Sequence, residues 1–372
     1  MGNFRRLYTV ATQLQAGERA TAYRRSLLFD PSIPLPTEYE LLQGDIDVAG
    51  KLYMLNCPPT PPFSSNLRRF IAFVPAHYSQ SGSTGHFAWL HYTPVWGPDR
   101  ANAPRFREAH QNYPDGLWTD YYVADYLFGH RVLASFAEAR INAILFLPVH
   151  RFTVSNALEP LSNLRNLMVA LSQMLICLEG IEPRLRANDP RLAGSVEGIG
   201  VSCFSFGAEY CSRLFARQGV PADIYSKLRA GAYLDGVTSL AQRTCREIVG
   251  GTPRRVSGWL AAPPMPQPAA HYPRRISFFQ QPSISPRDFV GPFRAALGLP
   301  WLTVGETVNT SAAPPLNSNE LYFHRVDCQQ MICVSHEGQC RDPRHNYNYW
   351  HGRIHQLFLW LGLVLARDCF LW

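Results

Sequence analysis

The chain has 372 residues, 46% hydrophobic and 17% charged, enough apolar material for one large core or two smaller ones and too much for a mainly disordered chain. Its formal charge of +7 comes from scattered pairs such as Arg5-Arg6, Arg68-Arg69, Arg254-Arg255 and Arg274-Arg275, a distribution that reads as a solvated face or as contact with an anionic membrane surface. Nucleic acid is not an expected partner, because no aromatic residues interleave with the basic ones, and nine cysteines at spacings of neither a disulfide scaffold nor a zinc ribbon are expected to be mostly reduced and buried.

Met1 to Val10 carries Arg5 and Arg6 with no apolar stretch behind them, so no Sec signal peptide is expected. The sequence predicts synthesis in the cytoplasm, with non-classical secretion as the route to any other location. The first sixty residues, ending in the proline-rich Cys57 to Pro62, are expected to add antiparallel edge strands or an N-terminal extension. Phe70 to Val74 is a short apolar run closed by Pro75, the form of a strand buried on both faces. Polar, glycine-containing Ser79 to Gly85 reads as a loop, and the aromatic residues after it, Phe87, Trp89, Tyr92 and Trp96, as loop residues able to meet an apolar substrate.

Tyr121 to Arg140 has a helical pattern, and Ile141 to Leu147 is a second buried run, closed by Pro148. Leu161, Leu164, Leu167, Met168, Leu171, Leu175 and Leu178 then recur at helical spacing through Gly180. A third run, Val196 to Phe204, leads directly into a helix that should stop near Gly219, and a fourth, Ala230 to Leu234, ends in Asp235-Gly236. Strands alternating with helices predict an α/β fold with a mostly parallel central sheet covered by helices on both faces, since parallel neighbours need long crossovers. Residues 239–275 read as an insertion or lid, Arg275 to Gln280 as another strand, and Leu321 to Val334 as a strand or hairpin. A closing helix follows from about Tyr347. Its apolar stretch Leu357 to Ala366 is cut by Arg367 and Asp368 short of the roughly 20 residues that cross a bilayer. The division expected is 1–62, the core 63–238, the insertion 239–275 and the C-terminal part of the core 276–372.

Cys203-Phe204-Ser205-Phe206-Gly207 lies where the third run meets its helix. It differs from G-x-S-x-G only in having a small cysteine first, and a helix N-terminus behind Ser205 would point amides at a developing oxyanion. Ser205 is therefore the candidate nucleophile, against the plainer reading of a helix-capping serine. The stretch from Ile71 to Asp235 resembles the core of the α/β-hydrolase superfamily, lipase- and esterase-like. Cys203 to Ala208, followed by Leu234-Asp235-Gly236-Val237, is partly similar to bacterial secreted phospholipase effectors, without the arginine that follows their serine.

The resemblance implies serine, acid and histidine in that order. Asp235, at the end of the strand after the elbow, is the acid it favours, with Asp327 and then Asp288 as alternatives. For the base it leaves His324, His336, His345, His351 and His355. His345, in a loop before the last helix, stands ahead of His336, after the run Met331 to Val334, with His351 behind both. The same resemblance assigns the oxyanion donors to the amide of Phe206 and to the loop after the first core strand, at Ala76 or His77.

Metal chemistry is not expected: His86 and His91 are five apart and His351 and His355 four apart, but neither pair has the glutamate of H-E-x-x-H. No P-loop or dinucleotide fingerprint is present, so no cofactor is expected. Two functions follow: a serine hydrolase acting on carboxylic, lipid-like esters through an acyl-enzyme on Ser205, or a non-catalytic α/β-hydrolase-like protein that binds a ligand or partner with a degenerate site.

Overall fold

The computed structural model of the protein describes residues 50–57, 61–64, 67, 69–80, 85–92, 127, 132–150, 157–205, 207–234, 252, 254–262, 273–280, 307–309, 320–325 and 358–371. Within these, the strands are β1 (Gly50–Asn56), β2 (Arg69–Pro75), β3 (His86–Tyr92), β4 (Ile144–Val149), β5 (Val196–Phe204), β6 (Leu228–Leu234), β7 (Arg275–Gln280), β8 (Thr307–Asn309) and β9 (Glu320–Arg325). They form one sheet in the order β1-β2-β4-β3-β5-β6-β7-β9-β8. From β4 to β9 the neighbours are parallel, while β1, β2 and β8 pair antiparallel at the two margins. This is the mostly parallel α/β architecture expected from the alternation of apolar runs and helical patterns.

Helices α1 (Val132–Ala139), α2 (Leu164–Ile181), α3 (Gly207–Leu214) and α4 (Ala222–Ser226) are joined by helical segments at 254–261 and 358–366. The strand period of two sends alternate side chains of β3 to opposite faces. Ala88, Leu90 and Tyr92 join the core under α2 and α3, with Leu167, Leu171, Leu175 and Leu214. Phe87 and Trp89 join the other face with Phe136 of α1 and Leu363 and Phe370 near the C-terminus. Burying each large apolar side chain contributes roughly 1.5–3 kcal/mol, so a strand covered on both sides is held by the whole core.

β3 corrects the sequence reading. Phe87, Trp89 and Tyr92 are fully buried strand residues, not loop residues facing substrate; Trp96 lies outside the described residues. The histidines at either end of the run obscured it, since two polar residues bracket only four apolar ones. Both are accommodated by specific partners: His86 bonds Tyr78 and Glu179, at 2.8 and 2.9 Å, and His91 bonds Ser202 at 2.7 Å. Gly200 explains why β5 carries glycine inside a buried run: a Cβ there would stand 2.0 Å from the Trp89 ring.

Of residues 239–275, the described helical part at 254–261 buries Val256, Trp259 and Leu260. Trp259 packs edge-on against Phe215 and donates from Nε1 to the Leu228 carbonyl at 3.1 Å. That part packs into the core between β6 and β7 in the chain; residues 239–251, 253 and 263–272 lie outside the described residues.

Candidate active site

Ser205 follows the last residue of β5 and precedes α3, and it holds φ +55°. A residue with a Cβ pays of order 1–3 kcal/mol in this left-handed region, so the surroundings must over-determine it. They do so on both sides of the turn. The Ser205 N–H donates to the Leu234 carbonyl at 3.1 Å, extending the β5–β6 ladder one residue past Phe204, which pairs with Leu234. The Ser205 carbonyl in turn accepts the Ala208 N–H at 3.0 Å, which starts the first turn of α3. The residue is 3% exposed.

The small residues of the motif face α3 and the neighbouring strand. Cys203 is fully buried in the core that includes Ala208 and Cys211 of α3, and its thiol lies 3.9 Å from the Ala232 carbonyl. Burial, followed by the neighbouring Cys211 thiol, pushes the Cys203 thiol well above its ordinary range, so it stays a neutral packing group. Arg213, near the far end of α3, reaches Glu159 outside the helix at 2.6 Å and Glu209, one turn earlier in α3, at 2.8 Å. The positive end of the α3 dipole therefore points at Ser205 along a helix anchored at its far end.

Parallel pairing sets which other chain segments share this edge. β3 pairs with β5 up to Tyr92↔Cys203, and β6 pairs up to Leu234↔Phe204, so the chain leaves both beside Ser205. Asp235, the residue after Leu234, lies outside the described residues, as do Phe206, Asp288, Asp327, His336, His345, His351 and His355. The backbone of His324 is in β9.

Ala76 and His77 are placed away from Ser205, which corrects their assignment as oxyanion donors. β2 runs antiparallel to β4, with Phe70 opposite Pro148 and Phe73 opposite Leu145, so Pro75 ends at the edge where β3, β4 and β5 begin. His77 Nε2 is 3.0 Å from the carbonyl of Ile141, which leads into β4. The sequence had no way to show that the first apolar run of the core is the antiparallel strand.

His91 and His150 received no role at the elbow from the sequence, and both are buried near its edge. His91 lies opposite Ser202, whose hydroxyl also accepts the Trp89 indole N–H at 2.8 Å. Complete burial pushes the His91 imidazole down to about 3, so it is neutral near pH 7. His150 follows β4, two strands from β5, or roughly 10 Å at ordinary strand spacing. His86 sits at the opposite edge. Burial pushes its pKa down against the pull of Glu179, and Glu179 also accepts the Gly194 N–H at 2.8 Å. A cavity of about 860 Å³ lies between Phe63, Glu159, Asn163, Arg213 and Val220, and Ser205 is not among its lining residues.

No protein-family model matches the sequence, and no curated protein matches it. Solved structures align with the chain at low identity and low TM-score. A feruloyl esterase module of Clostridium thermocellum, complexed with sinapinate, is 9% identical over 88% of this chain and 92% of its own, with a TM-score of 0.41. An esterase of Pyrococcus furiosus is 8% identical over 91% of this chain and 98% of its own, with a TM-score of 0.31.

Proposed function

We propose that the chain is a serine hydrolase that cleaves carboxylic esters through an acyl-enzyme on Ser205. The observation that carries this reading is the left-handed backbone of Ser205, buried at the turn between β5 and α3. A serine that merely caps a helix takes an extended backbone and needs no such conformation, whereas a nucleophile elbow does.

In the proposed reaction a histidine takes the Ser205 hydroxyl proton as Oγ attacks the ester carbonyl carbon. The carbonyl oxygen becomes an oxyanion, held by the Phe206 amide and a second backbone donor. Collapse breaks the bond to the alkoxy oxygen, which leaves with the proton from the histidine, and water activated by the same histidine then cleaves the acyl-enzyme. Asp235 is the proposed acid and His345, ahead of His336, the proposed base. The second donor is reassigned to the chain after Tyr92, because β3, on the side of β5 away from β6 and Asp235, runs parallel to β5 and ends at this edge.

Two features support a lipid-like ester within this class. One is the excess of 35 basic over 28 acidic residues, and the other is the partial phospholipase-like elbow Cys203 to Ala208. The buried aromatic residues of β3 no longer contribute to that choice.

The test is labelling by a fluorophosphonate together with hydrolysis of p-nitrophenyl butyrate. Wild type should label and turn over, and Ser205→Ala should do neither while keeping the wild-type circular dichroism. A wild-type chain that neither labels nor turns over, or a Ser205→Ala variant that keeps the activity, overturns the reading and returns the protein to ligand binding without catalysis.

A further inference from the structure

Helix α2 has an unusual outward face. Its inner stripe, Leu164, Leu167, Leu171, Met174, Leu175 and Leu178, is packed into the core. Although the helix has the length and apolar composition of a membrane span, that stripe is already committed to the protein interior, which leaves only the outer half available. On that half lie Val169 and Ile176 at 43% and 53% exposure, while Ile181, 44% exposed, ends the helix about 120° around its axis from Val169. Arg165, Val169, Ser172, Ile176 and Gly180 follow one another at intervals of three or four residues, which places them on a single line along the surface.

The charges around this line are sorted by depth. Exposed Arg165 stands at its start, and Arg184 and Arg186 are exposed beyond its end, where their guanidiniums also donate to the Pro75, Ala76, Glu179 and Gly180 carbonyls and Arg184 stands 3.6 Å from Glu182. The two nearby glutamates point inward: Glu179 bonds His86 and Gly194, and Glu182 bonds Lys51 and Tyr53. Asp189 is taken up by Arg191 at 2.7 Å. From 166 to 181 no exposed side chain is charged.

We propose that the outer face of α2 is a docking surface for an anionic phospholipid bilayer, with Val169 and Ile176 entering the interface and Arg165, Arg184 and Arg186 at its two ends meeting headgroup phosphates. Charge complementarity selects this occupant. An aliphatic line ending in guanidinium groups matches a surface that is apolar inside and negative at its boundary. A second copy of the same face would instead bring its own arginines against them. The proposal concerns binding and does not depend on Ser205.

The experiment is flotation of the full chain with vesicles of phosphatidylcholine alone or mixed with phosphatidylglycerol. Wild type and Ser205→Ala should float with the mixed vesicles and much less with phosphatidylcholine. The surface variant Val169→Asp/Ile176→Asp should partition about tenfold or more less well while keeping wild-type circular dichroism and its hydrolysis of a soluble ester. Arg165→Glu, at a helix start that tolerates an acid, should weaken binding to the mixed vesicles only. Equal binding of the double variant and wild type, absence of wild-type flotation, or indifference to phosphatidylglycerol overturns the proposal. A wild-type dimer that the double variant dissociates, with no flotation, assigns the face to a second copy instead.

Discussion

The Ser205 amide and the Leu234 carbonyl are joined by a 3.1 Å hydrogen bond, which ties the turn after β5 to the last residue before Asp235. Backbone pairing between two parallel strands thus holds the proposed nucleophile beside the strand that delivers the proposed acid. Orientation of this kind costs no side-chain entropy at the moment of reaction.

The strain at this turn is measurable without any activity. Glycine loses nothing by adopting φ +55°, whereas alanine keeps the Cβ penalty. Ser205→Gly should be more stable than Ser205→Ala by about 1 kcal/mol in urea denaturation. Alanine equal to or more stable than glycine means that the turn is not left-handed in solution.

Asp235 is expected to orient the base. Asp235→Asn keeps the side-chain volume and removes the charge, and should lower kcat by on the order of 10³- to 10⁴-fold, with Asp327→Asn near wild type. The reverse pattern moves the acid to the chain beyond β9.

The base is expected from the segment 326–357, whose described flanks both reach the Ser205 edge. β9 ends there in parallel with β7, and Phe358 stacks on Phe279, which pairs with Leu234. His345→Asn should reduce kcat by on the order of 10³-fold or more and abolish fluorophosphonate labelling, while His336→Asn retains both. Retention by His345→Asn and loss by His336→Asn or His351→Asn transfers the role.

His91 predicts how stability responds to acid. Its pKa falls from the ordinary 6.5 to about 3 on burial, so between these values the unfolded chain holds a proton that the folded chain does not. Stability must therefore fall as the pH drops below about 6.5, by at most about 1.4 kcal/mol per pH unit from this group. Urea midpoints at pH 7, 6 and 5 should decline for wild type and decline less steeply for His91→Gln, whose amide can still meet Ser202. An unchanged slope removes His91 as the source.

The apolar runs at Phe70–Val74, Val196–Phe204 and Ala230–Leu234 were legible because a strand buried on both faces has little room for a polar residue, and α2 because its leucines recur every three or four positions; the run at Ile141–Leu147 was legible only in part, since the strand is Ile144–Val149 and Pro148 lies inside it, paired with Phe70. The candidate nucleophile was legible for a local reason, since strand, small residues and helix are contiguous around Ser205. What tertiary structure alone decided was non-local. The core strand β3 was hidden by His86 and His91, which are tolerated only because Glu179, Tyr78 and Ser202 meet them from distant parts of the chain. The direction of β2, and with it the removal of Ala76 and His77 from the Ser205 edge, depends on its antiparallel pairing with β4, more than sixty residues away. A sequence records which residues avoid water and how often they recur, but strand direction and sheet order arise only when separate segments pair, because either direction satisfies the same local burial.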